Sequence, residues 1–420
     1  MVGLSSIINH PSSIINARVF SLTPQEWILA VFVFALGCCI GSFLNVVIYR
    51  LPREKSLVSP GSACPHCGKP IRCYDNIPLV SWLLLRAKCR NCKGPISARY
   101  FIVELLTGSV FLGMYIVYSH TGLRPVLHDP GLHGTWLVYV LHIILLSAFI
   151  AASGIDLELW IIPLSICWLV TAVGLIGSAV GGYAIAPQVI AEYGLLPLAT
   201  PRTGAIAVGG LVGLGISGLL LWTGLLKRSY ESATAEVHDK LAGAKGERSA
   251  SVPAGEDDPN EPEFNHRLEA LREIAFLLPI ILCAVVASSI LQRPGPVSRW
   301  WASFLLYRVP AGLLGSVFGY FVGCGVVWAT RILGTLAFGK EAMGLGDVHL
   351  MGAAGTVVGP LMVVIAFFIA PFFGLGWALF QMLSKKIRQI PYGPFLSLAV
   401  FTVMVFHDWI LGRIDRMFYL

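Results

Sequence analysis

Two aspartates stand out by their setting. Asp347 lies in Gly344-Leu345-Gly346-Asp347-Val348-His349-Leu350, and Asp156 in Ser153-Gly154-Ile155-Asp156-Leu157-Glu158, each at a junction between two strongly apolar segments. An ionisable side chain at the edge of a membrane span is costly enough to be a functional candidate ahead of any other residue. Two carboxylates sharing one site cannot both ionise cheaply, so one keeps a proton while the other stays charged. The charged member can activate a water, and the protonated member can polarise a peptide carbonyl. That is the chemistry of an aspartic peptidase. Taken singly, G-x-G-D is four common letters, and a polar turn with Asp347 capping the next helix is the plainer reading. The second acidic residue in a matching setting tips the balance. No Ser/His/Asp or Cys/His set competes, because His142 and His407 sit in apolar runs without a nucleophile beside them.

A second group of residues has the donors for a metal. Cys64-Pro65-His66-Cys67 and Cys89-Arg90-Asn91-Cys92 are two C-x2-C pairs separated by 21 residues. On one short polar stretch they can close a tetrahedral thiolate site, and zinc is the ion such spacing suits. His66 falls inside the first pair, where four thiolates already complete the set, so it is expected beside the metal or in solvent. Two disulfides are disfavoured by the reducing compartment that the surrounding charge implies. Cys38, Cys39, Cys167, Cys283 and Cys324 lie in apolar runs and read as small buried hydrophobes.

The elements that must position these residues are membrane helices. The 420 residues are 56% hydrophobic and 13% charged, and the mean hydropathy is +0.74. Crossing a bilayer takes about 20 apolar residues. Ten apolar segments, one of them short, fall at 27–49, 101–118, 135–153, 162–183, 204–226, 274–291, 310–336, 349–360 (the short one), 361–383 and 393–411. The expected fold is all-α, a polytopic transmembrane helix bundle with a small zinc-ribbon-like loop at 50–99.

That loop carries ten Lys and Arg residues against only Glu54 and Asp75. The positive-inside rule places it in the cytoplasm and the N-terminus outside. The net charge of +7 is modest, and charge beside membrane helices already has this explanation, so no nucleic-acid partner is expected. Between the two aspartates lie the fourth to seventh segments, an even number, which returns both to the cytoplasmic face.

The remaining stretches read as support. Residues 1–26 form an N-terminal extension ahead of a first membrane helix rather than a cleaved signal. Residues 100–226 and 274–420 hold the membrane helices, and the polar, proline-containing 227–273 between them reads as a mostly disordered cytoplasmic insert. Glu104, near a helix start, suits a structural role. Gly213-Leu214-Gly215-Ile216-Ser217-Gly218 is a formal G-x-G-x-x-G, but its apolar flanks fit close helix packing rather than a dinucleotide. Trp300 and Trp301 suit an interfacial belt on an external loop. Pro163 and the Gly393-Pro394 pair are expected to start helices.

At this point the chain resembles the prepilin leader peptidases of type IV pili and type II secretion, the bifunctional peptidase and N-methyltransferase group. The matching stretches are GSFLNVVIYRLP at 41–52, CPHCGKPIRCYDNIPLVSWLLL at 64–85, CRNC at 89–92, ARYFIVELLTG at 98–108, the aspartate before ELWIIP, GLGD, and IPYGPFL at 390–396. The resemblance implies cleavage of a short basic leader just after glycine in a prepilin or pseudopilin, at the cytoplasmic face of the bacterial inner membrane. It further implies methylation of the new N-terminus from S-adenosylmethionine. Asp156 and Asp347 are then the catalytic pair, and Cys64, Cys67, Cys89 and Cys92 hold zinc in a domain linked to methylation; membrane lipid and the pilin substrate are the partners. Leu164 stands where the family often has an acidic or amide residue, and His349 where it often has lysine. The family's usual core has eight helices, so the pair at 204–226 and 274–291 looks like an addition.

Two other readings use the same residues. A presenilin-type intramembrane protease shares G-x-G-D but has Tyr-Asp where this chain has Ile155-Asp156. A non-enzymatic zinc-ribbon scaffold or transporter would use the aspartates to line an ion path.

Overall fold

A computed structural model describes residues 23–120, 136–185, 189–190, 194–227, 229, 265–383 and 391–418. The extension up to residue 22 and most of the expected insert, 230–264, lie outside the described residues, as does the basic cluster at 385–388. The described chain is helical, with short 3-10 turns and two isolated β-bridges. Eight of its helices are long and apolar enough to cross a membrane.

The chain divides into two compact units that interleave along the sequence. The first comprises Met1–Thr200, Ser303–Val326 and Gly346–Leu420. Helix α1, Pro24–Arg50, opens on a capping box in which the Thr23 N–H donates to Glu26 Oε2 at 2.6 Å, satisfying amides that a helix start leaves open. After the loop and its short helix α2, Val80–Leu84, come α3, Ala98–Ser119, and α4, Trp136–Leu159. Helix α5, Leu164–Ala184, has Pro163 as its N-cap residue. The unit also takes the first part of α9, Arg308–Phe338.

Helix α10, Leu345–Val358, has 14 residues, and ten of them are buried. At a rise of about 1.5 Å per residue it is roughly 21 Å long, too short for a bilayer core of about 30 Å. It is enclosed by protein: Ser316 of α9 donates to the Thr356 carbonyl at 2.7 Å, and Ser178 of α5 to the same carbonyl at 3.4 Å. Helix α11, Pro360–Leu383, follows at full length.

The expected last span, 393–411, is corrected: it is two helices, α12, Gly393–Val405, and α13, His407–Phe418, bent by 76° at Phe406. Asp408, Arg413, Asp415 and Arg416 explain the break, since four charges spread over a helix of only 12 residues leave it no apolar stretch to bury in hydrocarbon, and it lies better along an interface.

The second unit comprises Pro201–Ala302 and Val327–Leu345. Helix α6, Pro201–Trp222, packs on α7, His266–Leu291. A Cβ on Gly213 would lie 2.4 Å from Ile280 Cα, and the Ser217 hydroxyl donates to the Phe276 carbonyl at 2.7 Å. The glycine motif is thus a packing seam, as small residues between membrane helices are. Helix α7 starts at His266, capped by the Asn265 side chain, so the end of the stretch read as insert is helical. The expected external loop is the amphipathic helix α8, Pro296–Leu305. Within it Trp300 is exposed, but Trp301 is 4% exposed and its indole donates to the Pro201 carbonyl at 2.8 Å. Trp301 is therefore a packing residue rather than part of a belt.

Candidate active site and metal loop

Asp156 lies in the last turn of α4 and Asp347 in the first turn of α10, and both are buried. Helix α4 is fixed on both sides of Asp156. Ile48 of α1 fills the space a Cβ would take on Gly154, 2.7 Å away, and the Ser153 hydroxyl meets Ser397 of α12 at 3.0 Å. Arg99, at the end of the polar loop, pairs with Glu158.

Asp156 Oδ2 accepts the backbone N–H of Gly393 at 3.2 Å. A Cβ on Gly393 would lie 2.5 Å from that oxygen and 3.2 Å from Ile162 Cδ1, so only glycine admits the approach. A Cβ on Gly346, the residue before Asp347, would lie 2.8 Å from Ile162 Cβ. Ile162 therefore lies against both Gly393, whose N–H serves Asp156, and Gly346, the residue before the buried Asp347. Tyr392 is next to Gly393: burial pushes its phenol up to about 12, and the charge of Asp347 adds to the rise.

The parts played by Ile162, Tyr392 and Gly393 carry no local signal, since Pro391-Tyr392-Gly393-Pro394 reads as the start of a helix. Of the two departures from the family pattern, Leu164 is exposed. His349 has Nδ1 3.1 Å from the Tyr320 hydroxyl, and its ring lies 5.7 Å from that of Trp168. His142 pairs with the Tyr118 hydroxyl, and His407 with Asp408 at 2.7 Å, so both are structural.

The four-cysteine loop is two copies of one turn. Cys64 N–H donates to the Lys69 carbonyl at 3.0 Å and Gly68 N–H to Cys64; Cys89 N–H donates to Gly94 at 2.8 Å and Lys93 N–H to Cys89. The Sγ atoms of Cys64, Cys67, Cys89 and Cys92 all lie within 4.8 Å of one another, with Cys64 and Cys92 3.8 Å apart. A tetrahedron with metal–sulfur bonds of about 2.3 Å has edges of about 3.8 Å, so the donor set fits zinc.

The electrostatics agree. The backbone N–H groups of Cys92 and Asn91 draw the Cys89 thiol down to about 6. The Gly94 N–H favours the Cys92 thiolate, but desolvation and the three neighbouring thiols outweigh it and push Cys92 up to about 11. A dication held by the four sulfurs would supply the charge that lets the fourth thiol ionise. His66 is not a ligand: its Nε2 meets the Pro95 carbonyl at 3.2 Å, tying one turn to the other. Asp75 accepts Arg90 through Nε at 2.9 Å and a terminal nitrogen at 2.6 Å. Glu104 of α3 accepts the Leu79 N–H at 2.8 Å and so anchors the loop to a membrane helix.

Two family models match the chain. The bacterial peptidase A24 N-terminal domain covers residues 35–118, which include the four cysteines. The type IV leader peptidase family covers 275–379, which include Asp347. A prepilin leader peptidase/N-methyltransferase of Myxococcus xanthus is 47% identical over 33% of this chain and 37% of its own. A type 4 prepilin-like proteins leader peptide-processing enzyme of Escherichia coli is 42% identical over 29% of this chain and 46% of its own. The chain thus spans less than half the length of those two relatives. A prepilin leader peptidase/N-methyltransferase of Aeromonas hydrophila is 35% identical over 91% of this chain and 92% of its own. No solved structure matches. On that end-to-end likeness, joined to two family models that hold the cysteine loop and Asp347, the chain belongs to the prepilin leader peptidase/N-methyltransferase family.

Proposed function

We propose that this protein is an aspartic endopeptidase of the bacterial inner membrane that removes the leader of type IV prepilins or type II pseudopilins at the cytoplasmic face. Cleavage falls after glycine, and the new N-terminus is then methylated from S-adenosylmethionine. The observation that carries the reading is that Ile162 lies against both Gly393, whose N–H Asp156 accepts, and Gly346, which precedes the buried Asp347. In such a pair one carboxylate keeps a proton for the peptide carbonyl while the other takes one from water. Cys64, Cys67, Cys89 and Cys92 hold zinc, which organises a basic loop that buries little of its own chain.

Orientation follows from the loop's charge, with the N-terminus outside. Four candidate spans separate the aspartates, Leu164–Ala184, Pro201–Trp222, His266–Leu291 and Arg308–Phe338, which returns both to the cytoplasmic face. The test replaces either aspartate by asparagine, which keeps size and removes the ionisable group. Asp156→Asn and Asp347→Asn should each insert, accumulate and leave prepilin at its unprocessed size in an immunoblot. Mature pilin at normal levels in either variant sinks the pair.

A further inference from the structure

Arg331 heads the largest fully buried side chains, at 1% exposure. Nothing in the two-aspartate chemistry calls on it. It lies on α9 within the second unit, and its Nε donates to both oxygens of Glu273, at 3.0 and 3.2 Å. Glu273 is itself buried on α7 and also accepts the Trp328 indole N–H at 2.8 Å. A terminal nitrogen of Arg331 pairs with Glu341 at 2.5 Å and donates to the Met343 carbonyl. One turn along α9, Thr335 Oγ1 accepts the Ala342 N–H at 3.3 Å.

One face of α9 therefore grips residues 341, 342 and 343 in succession. A guanidinium suits this task, because it stays charged and its donors are fixed in one plane, so the directions of its partners are fixed too. The gripped segment has one outlet. Met343 is followed by Gly344-Leu345-Gly346-Asp347, and the two glycines give that turn no stiffness of its own. Arg331 also gives the Met343 carbonyl a charged donor.

We propose that Arg331, locked by Glu273, is a positioning residue for Asp347, and that the helix pair α6 and α7 serves the site through it. The pair, an apparent addition to the family core, contributes Glu273, the carboxylate that holds the guanidinium in place. This rests on the peptidase reading above, and the experiment separates the two. The full-length protein in detergent is assayed for prepilin cleavage, and its backbone amide exchange is followed over 341–346.

Arg331→Met should lower kcat at least tenfold with KM within twofold of wild type, since a misplaced carboxylate impairs chemistry rather than docking. Amide exchange over 341–346 should accelerate at least tenfold while 204–222 stays unchanged. Arg331→Lys, which keeps the charge but not the fork, should fall between. Wild-type kcat in Arg331→Met, or unchanged exchange over 341–346, overturns the assignment. If Arg331→Met does not accumulate, Glu273→Gln is read instead, with the same direction and a smaller shift expected. Failure of both to accumulate makes the cluster a folding element and overturns the positioning role. A wild-type protein that cuts no prepilin, while exchange still responds to Arg331→Met, defeats the peptidase reading and leaves the brace standing.

Discussion

The cysteine loop and the aspartate cluster are held by opposite means. Between residues 51 and 99 only Cys64, Ser81 and Cys89 are buried, and the loop's order comes from short-range turns, the Asp75–Arg90 pair and four thiols around a metal position. The aspartate cluster has no such local staples. Its members come from residues 156, 162, 346 and 393, and rigid helices leave so little space that a methyl group at Gly393 has nowhere to go. Damage to the loop should therefore stay in the loop. Damage to the cluster should act directly on the proposed catalytic pair.

The sharpest way to break this comparison is Gly393→Ala. Its new methyl must displace the Asp156 carboxylate from 2.5 Å away, and a shift of about 1 Å in a catalytic group costs about 100-fold in rate. Single-turnover cleavage of prepilin should slow to that extent with the protein still inserted; a wild-type rate would show that the cluster tolerates slack.

A smaller effect on cleavage is expected from pairing Cys64→Ser with Cys67→Ser. Zinc, measured by elemental analysis, should be lost. Methylation should fall by about tenfold or more, because a metal-organised segment loses its fold with its ligands, while cleavage stays within about threefold. Mass spectrometry of the pilin N-terminus reads both, since a cut but unmethylated product is lighter by one methyl group. Fully methylated pilin from a zinc-free protein refutes the link, and uncut prepilin shows that the two regions are not separable.

The smallest effect belongs to Asp75→Asn. Arg90 holds the Asp75 carboxyl below the usual carboxylate range. A depressed folded value means that the contribution is present above the ordinary aspartate pKa of about 3.9 and is lost as pH falls through the folded value. At neutral pH the variant should surrender zinc to a chelator about twofold faster, the scale of an exposed ion pair. The difference should vanish in acid. A tenfold change at neutral pH would mean that the pair holds the second turn by itself.

The sequence makes the aspartates and cysteines visible because each is anomalous where it stands, an acid between apolar runs or paired thiols on a polar loop. The helices are visible from their length. What stays hidden is pairing at a distance. Gly393 and Asp156 are 237 residues apart, and nothing near Gly393 announces that its N–H has a carboxylate to serve. The start of α7 was obscured in the same way, because Arg272 and Glu273 look like solvated insert until Arg331 is placed against Glu273. The charges after Phe406 are in plain view, but the apolar residues among them make 393–411 read as one span. Trp301 has the composition of a belt residue, and only its bond to Pro201 shows it to be internal.

The two turns of the four-cysteine loop place different residues at one shared backbone position. After the second cysteine of each comes a residue in the left-handed conformation, Gly68 in the first turn and Lys93 in the second, with φ of 67° and 59°. Glycine adopts that shape freely, whereas a side chain resists it. The Cys64–Cys67 half thus keeps its turn at little cost, whereas the Cys89–Cys92 half holds Lys93 in a shape its side chain resists. If the four thiolates hold an ion, the Cys89–Cys92 half is the one whose relaxation would open the site first, as a latch does.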